Sequence, residues 1–237
     1  MKKKNIILLS TISFVLIALT IFLIILFGKI LPEEKQKKEL EEFFKSYYNQ
    51  KISSYADENA LYDEYEVDVA FLGDSLTDGY NLSEYYPEFI TVNRGIGGDT
   101  TIGLESRLKV SVYDLKPKVC VMLIGANNMD TMFENYENIL KGFKENLPNT
   151  KIVLLSLTAM GGEYWGAKNQ LACYNNVRIK KYAESYGYTY VDLFTPLFNE
   201  KTGEVYDGFT IDGGHFTHEG YLVVTAQIKP VLIELLK

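Results

Sequence analysis

From about residue 61 to the C-terminus, short apolar runs alternate with longer amphipathic segments, and that alternation leaves few possible architectures. The runs VDVAFLG (67–73), FITVN (89–93), VCVMLIG (119–125), KIVLLSLT (151–158) and YTYVDLF (188–194) have the length of strands. They are apolar almost throughout, not on alternate residues, so both faces of each strand should be buried. Parallel sheets have this property, because their crossover helices cover both sides. Helical periodicity occupies the gaps near 101–114, 132–146 and 169–186, and a last helical pattern runs from about 218 onward. The order predicts an α/β fold, a three-layer α/β/α sandwich around a five-stranded parallel sheet. Pro230 falls inside the last pattern, where a missing N–H and a ring clash cost about 3 kcal/mol, so two shorter helices are expected there.

The N-terminus is of another kind. After Lys2, Lys3 and Lys4, the stretch NIILLSTISFVLIALTIFLIILFG carries no charge until Lys29. At about 1.5 Å per helical residue it is long enough to cross a hydrocarbon core of roughly 30 Å. A cleaved secretory signal would have a shorter apolar region ending in a small-residue cleavage site, and LFGKILPEEK offers no A-x-A pattern. An uncleaved transmembrane anchor is therefore expected over residues 1–31, with a secreted, cleaved form as the rival. The lysines before the span favour a cytoplasmic N-terminus and an outward-facing domain. Lys29, Lys35, Lys37 and Lys38 oppose that orientation, although Glu33 and Glu34 lie among them. Residues 32–60 read as a juxtamembrane helix, with Leu40, Phe43, Phe44, Tyr47 and Tyr48 at helical spacing, followed by a linker, KISSYADENA. The folded domain is then 61–237.

Composition excludes several classes of function. The chain has 24 basic and 31 acidic residues, a formal charge of −7. Without Lys2, Lys3, Lys4 and Lys29, the remainder carries 20 basic residues against the same 31 acidic ones, or −11. Such a surface repels nucleic acid. Cys120 and Cys173 are the only cysteines. They form neither a disulfide framework nor a C-x-x-C site, and Cys120, inside VCVMLIG, reads as a small core residue. No metal or other cofactor is expected.

In open α/β sheets, ligands bind beyond the carboxyl ends of the strands, and each polar cluster here follows a strand. Gly73-Asp74-Ser75 follows the first, NRGIGGDTT the second, IGANN the third and TAMGGEYWG the fourth. A serine hydroxyl becomes a useful nucleophile only with a base, a group that orients the base, and donors for an oxyanion. The chain has two histidines, His215 and His218, both in TIDGGHFTHEGY. Asp212, three residues before His215 across two glycines, could reach the imidazole Nδ1 through a tight turn, whereas His218 falls at the start of the last helix and reads as a surface residue. By itself DGGH could equally be a turn before a helix capped by Thr217. Gly97 and Gly98 can present backbone N–H groups, and Asn127 can add a side-chain amide, although loop roles would also account for all three. Tyr164 and Trp165, in the glycine-rich loop after the fourth strand, are candidate substrate contacts or packing residues.

Taken in order, FLGDSLTDG, NRGIGGDTT, IGANN and DGGHFTHEGY resemble the four sequence blocks of the GDSL esterases and lipases, also called SGNH hydrolases, across residues 67–237. The resemblance implies a flavodoxin-like sheet of order 2-1-3-4-5. It implies catalytic roles for Ser75, Asp212 and His215, and an oxyanion hole made by the backbone N–H groups of Ser75 and Gly98 with the amide of Asn127. Asn128 departs from the third block, which usually carries Asp, and this puts a local contact in question. The G-x-S-x-G elbow of α/β-hydrolases does not fit, since Thr77 stands at its second glycine. The expected function is that of a membrane-anchored serine esterase removing acyl groups, acetyl first among them, from a carbohydrate or similar ester. Lysophospholipase, lipase-like or thioesterase activity is the first alternative. An acyltransferase or a non-catalytic carbohydrate-binding module is the second.

Overall fold

A computed structural model describes residues 34–237, which fall into two compact units divided between Gln50 and Lys51. In the first unit, residues 34–50 are helical, with Lys35 and Glu39 paired at 3.6 Å one turn apart and Leu40, Phe43 and Phe44 exposed. The expected membrane span lies outside the described residues. Among those described, no helix is long and apolar enough to cross a membrane.

The second unit opens on helix α1 (51–59), where the sequence reading expected a linker. KISSYADENA has little apolar periodicity, and its fixing contacts are distant in sequence. Tyr55 is buried and donates to the Gly95 carbonyl at 2.6 Å, while Asn59 donates to the Val110 carbonyl at 2.7 Å. Five parallel strands follow: β1 (Val69–Gly73), β2 (Thr91–Gly95), β3 (Val119–Leu123), β4 (Lys151–Leu155) and β5 (Thr189–Val191), in the order β2-β1-β3-β4-β5. Every residue of β1 and β3 is buried. Successive side chains point to opposite faces, so both faces of the sheet are covered, as the apolar runs required. The short antiparallel pair β6 (Phe198–Asn199) and β7 (Glu204–Val205) stands apart from this sheet.

β2 lies two residues later than its apolar pattern placed it, because it takes in a buried charge. The Arg94 side chain is fully buried, and its guanidinium donates to Asn59 Oδ1 at 2.9 Å, to the Ser111 carbonyl and to Glu58. Two of these partners are on α1. Three helices matter for the site: α2 (Ser75–Asp78) after β1, α7 (Asn169–Tyr186) before β5, and the C-terminal α9 (His218–Leu235). The other α-helices of this unit are α3 (Leu82–Tyr85), α4 (Thr101–Leu108), α5 (Tyr136–Asn146), α6 (Gly162–Trp165) and α8 (Phe194–Leu197). α4 passes into a π turn over Lys109–Tyr113, not the uninterrupted helix expected to 114.

α9 is a single helix and includes Pro230, contrary to the two shorter helices expected. The carbonyl that proline leaves without a donor belongs to Ala226. Both residues are exposed, so water can take the vacant acceptor, while Ile228 and Leu232, fully buried on either side of the proline, hold the helix to the core.

Candidate active site

Ser75 is the first residue of α2, two residues beyond the end of the interior strand β1 at its carboxyl edge. Asp74 caps this short helix, its Oδ1 accepting the Leu76 N–H at 3.1 Å. The Ser75 hydroxyl is 2.9 Å from His215 Nε2, across 140 residues of sequence. His215 Nδ1 is 2.7 Å from Asp212 Oδ2, and Asp212 Oδ1 accepts the backbone N–H groups of Gly214 at 3.0 Å and His215 at 2.8 Å. The D-G-G-H turn depends on Gly213, which has φ +89° and packs so closely that a Cβ there would meet the Gly161 carbonyl oxygen at 1.9 Å. Partial burial alone would raise the Asp212 carboxyl. The hydrogen bonds from His215 and Gly214, with the nearby imidazole, hold it down at about 2, so Asp212 is charged throughout the neutral range.

The two glycines after β2 differ. The Gly97 N–H is engaged, donating to Asp78 Oδ2 at 3.0 Å. Gly98, at φ +77°, has an N–H that donates to no group among the described residues, and the same holds for the N–H of Ser75. Asn127 uses one amide hydrogen to donate to the Asp99 carbonyl at 2.8 Å, which leaves its second. Asn128 makes a defined contact despite its departure from the expected Asp: its Oδ1 accepts the Thr101 N–H at 3.3 Å and its Nδ2 donates to Thr101 Oγ1 at 2.9 Å. The loop is fixed from below by Arg107, wholly buried, which donates to Asp99 Oδ2 at 2.8 Å and to the Gly73 carbonyl at 3.0 Å.

A cavity of about 20 Å³ adjoins Ser75 and is bordered by Leu76, Ala126, Asn127, Thr158 and Met160, with Trp165 and His215 also in its wall. The segment that carries Thr158 and Met160 is held by two asparagines of α7. Asn176 exchanges hydrogen bonds with Leu157 N–H and C=O at 2.7 and 3.0 Å, and Asn169 does the same for Met160 at 2.9 and 2.7 Å. The Trp165 ring lies perpendicular to that of His215, centroids 6.4 Å apart, and Tyr164 is 71% exposed beside it. The Lys168 ammonium sits 4.4 Å from the Trp165 ring centre.

Local pattern reading did not single out Asp74 or Asp78. Burial pushes the Asp74 carboxyl up to about 7, with the Asp99 charge adding to the rise and the Leu76 N–H and His215 acting against it. Its Oδ2 is buried without a hydrogen-bond partner. His218 pairs with the Tyr85 hydroxyl at 2.8 Å, away from the serine's partners. No group of three or more His, Cys, Asp or Glu side chains suited to a metal ion occurs among the described residues.

Residues 71–223 match the profile of the GDSL-like lipase/acylhydrolase family. None of the curated proteins compared matches the chain. Among solved structures, a Streptococcus pneumonia protein provisionally named a platelet activating factor has a TM-score of 0.75 at 23% identity, over 84% of this chain and 99% of its own. A GDSL-like lipase from Bacteroides thetaiotaomicron has a TM-score of 0.68 at 26% identity, over 77% of this chain and 97% of its own. An acetylxylan esterase from Geobacillus stearothermophilus shares the fold, with a TM-score of 0.58 at 21% identity, over 71% of this chain and 95% of its own.

Proposed function

We propose, since this chain belongs to the GDSL-like lipase/acylhydrolase family and is a serine ester hydrolase, that it transfers short acyl groups, acetyl above all, from a carbohydrate ester to water through Ser75. The observation that carries this reading is the continuous chain of contacts from Ser75 Oγ to His215 Nε2 and from His215 Nδ1 to Asp212, at 2.9 and 2.7 Å. His215 Nε2 takes the hydroxyl proton as Oγ bonds to the ester carbonyl carbon, and the charged Asp212 stabilises the resulting imidazolium. The N–H groups of Ser75 and Gly98 and the free amide hydrogen of Asn127 receive the oxyanion. The imidazolium returns its proton to the departing alcohol oxygen as the carbon–oxygen bond breaks. Water, deprotonated by the same imidazole, then releases the acid from the acyl-serine.

The preference for a small acyl group is supported by the cavity beside Ser75. At about 20 Å³ it exceeds by little the roughly 10–15 Å³ that one water-sized group requires, which suits a methyl better than a long chain. Tyr164 and Trp165 present aromatic surface beside the catalytic histidine, where a sugar ring could stack. The shared fold of an acetylxylan esterase agrees with that reading. The apolar N-terminal run supports a membrane anchor, with the catalytic domain outside the cell, where acetylated glycans are available.

The test uses the full-length chain. A fluorophosphonate should label Ser75 alone, as read by mass spectrometry of the digested adduct, with no adduct on the Ser75→Ala variant. On a series of esters of one alcohol, kcat/KM should fall at least tenfold between acetyl and octanoyl. Comparable turnover of the octanoyl ester would overturn the short-acyl reading, and labelling elsewhere would overturn the assignment of the nucleophile.

A further inference from the structure

Gly98 can serve as an oxyanion donor only if its N–H is held in place, and nothing in the residue itself does this. A Cβ built at Gly98 would have no neighbour within 4 Å, so this part of the loop has no packing of its own. Its neighbour is fixed, however. Gly97 donates its N–H to Asp78 Oδ2 at 3.0 Å, and the other oxygen of that carboxylate, Oδ1, accepts from Lys51 Nζ at 2.8 Å. Asp78 belongs to the same four-residue helix as Ser75, and Lys51 is the first residue of the second unit. α1 makes a second contact at the end of β2, where Tyr55 donates to the Gly95 carbonyl at 2.6 Å under the Arg94 guanidinium, which lies 4.7 Å from the Tyr55 ring centre.

We infer that Lys51 is a positioning residue for catalysis: through Asp78 it locks the Gly97–Gly98 peptide and so sets the distance between the Gly98 N–H and the serine. The inference rests on the reading of Ser75 and Gly98 given above. The physical argument concerns the two ends of one carboxylate. The Lys51 and Asp78 side chains are 24% and 17% exposed, so the pair is mostly out of water and not averaged away by solvent as surface pairs are. With the ammonium present, the carboxylate is held between a cation and a backbone N–H. Without it, a half-buried charge is left with less compensation and gains by turning to water, and the Gly97 N–H loses its acceptor. The loop then keeps its backbone bonds, Ile96 N–H to the Gly73 carbonyl and Asp99 N–H to the Ile96 carbonyl, both at 3.1 Å, and the hold of Asn127 and Arg107 on Asp99, but Gly97 itself has lost its side-chain anchor. A donor whose peptide is less firmly aimed makes a poorer match to the transition state while the ground-state substrate binds as before, so the loss appears in kcat and not in KM. A helix upstream of the sheet thereby becomes part of the catalytic apparatus.

The test compares Lys51→Met, Lys51→Arg and Ser75→Ala in the full-length chain on an acetyl ester. Lys51→Met should lower kcat about tenfold, short of the 10² to 10³ expected for outright loss of an oxyanion donor, with KM within about twofold. It should slow fluorophosphonate labelling of Ser75 in proportion. Lys51→Arg, which keeps the cation, should recover most of the rate. The inference is overturned if Ser75→Ala is inactive while Lys51→Met keeps kcat within about twofold of the parent, taking the usual scatter of remote substitutions as the margin. It is also overturned if the Met and Arg variants lose activity equally and melt earlier, the mark of a merely structural lysine. Undiminished hydrolysis by Ser75→Ala would overturn the reading of the nucleophile, and this inference with it.

Discussion

Asp74 occupies an unusual place for an acid. It is 1% exposed, with one oxygen capping α2 and the other buried without a partner. Burial lifts its carboxyl from 3.8 to about 7, so between roughly pH 4 and pH 7 the folded protein holds a proton that the unfolded chain has released. Stability therefore falls as pH rises through that window and stays lower above it. Asp74→Asn keeps an oxygen to cap the helix and removes the ionisation. It should raise the denaturation midpoint at pH 8, by at most about 4 kcal/mol of stability, and have no effect below about pH 4. An equal effect at both pH values would show that the carboxyl's titration is not the cause. The sequence did not reveal this residue's condition, because a buried acid and an exposed one look alike in GDSL. What marked Ser75, by contrast, was the pairing of a polar strand end with a histidine and an aspartate at matching spacing far along the chain.

At the scale of elements, legibility followed where the stabilising contacts lie. The five strands and α7 were readable because their burial is written in their own composition. α1 and the last two residues of β2 were not, since each supplies the other's partners: Arg94 needs Glu58 and Asn59, and the Tyr55 hydroxyl needs Gly95. α9 was read correctly at its start, where the Thr217 hydroxyl accepts the Gly220 N–H at 3.2 Å, and incorrectly at Pro230. Local cost was overcome by the buried side chains on both sides. Because the proline is exposed and its ring has only solvent to lose, Pro230→Ala should stabilise the protein by roughly 2–2.5 kcal/mol. That is the helix-interior penalty of about 3 kcal/mol less the entropy that proline removes from the unfolded chain. A lower melting temperature for the variant would mean that the ring is packing against something the exposed position does not suggest.

For the whole molecule, the compact catalytic unit begins at Lys51, earlier than the boundary at 61 that composition indicated. A chain shortened to start at residue 61 should lose on the order of 3 kcal/mol of stability, of which the burial of one large side chain such as Tyr55 accounts for about 1.5–3. Calorimetry of that chain beside one starting at 34 would decide it, and equal melting temperatures would mean that residues 51–60 contribute nothing. The four motif blocks were legible across this span, whereas the contacts that aim them were not, since Lys51, Asp78 and Gly97 meet only in three dimensions. The 140-residue separation of the serine from its histidine has a consequence in time as well as in space. At about 5–20 residues per second of synthesis, the proposed nucleophile emerges on the order of ten seconds before its proposed base. During that interval the nascent chain carries an ordinary alcohol, and esters in the compartment where it is made are exposed to no hydrolase until the final segment arrives.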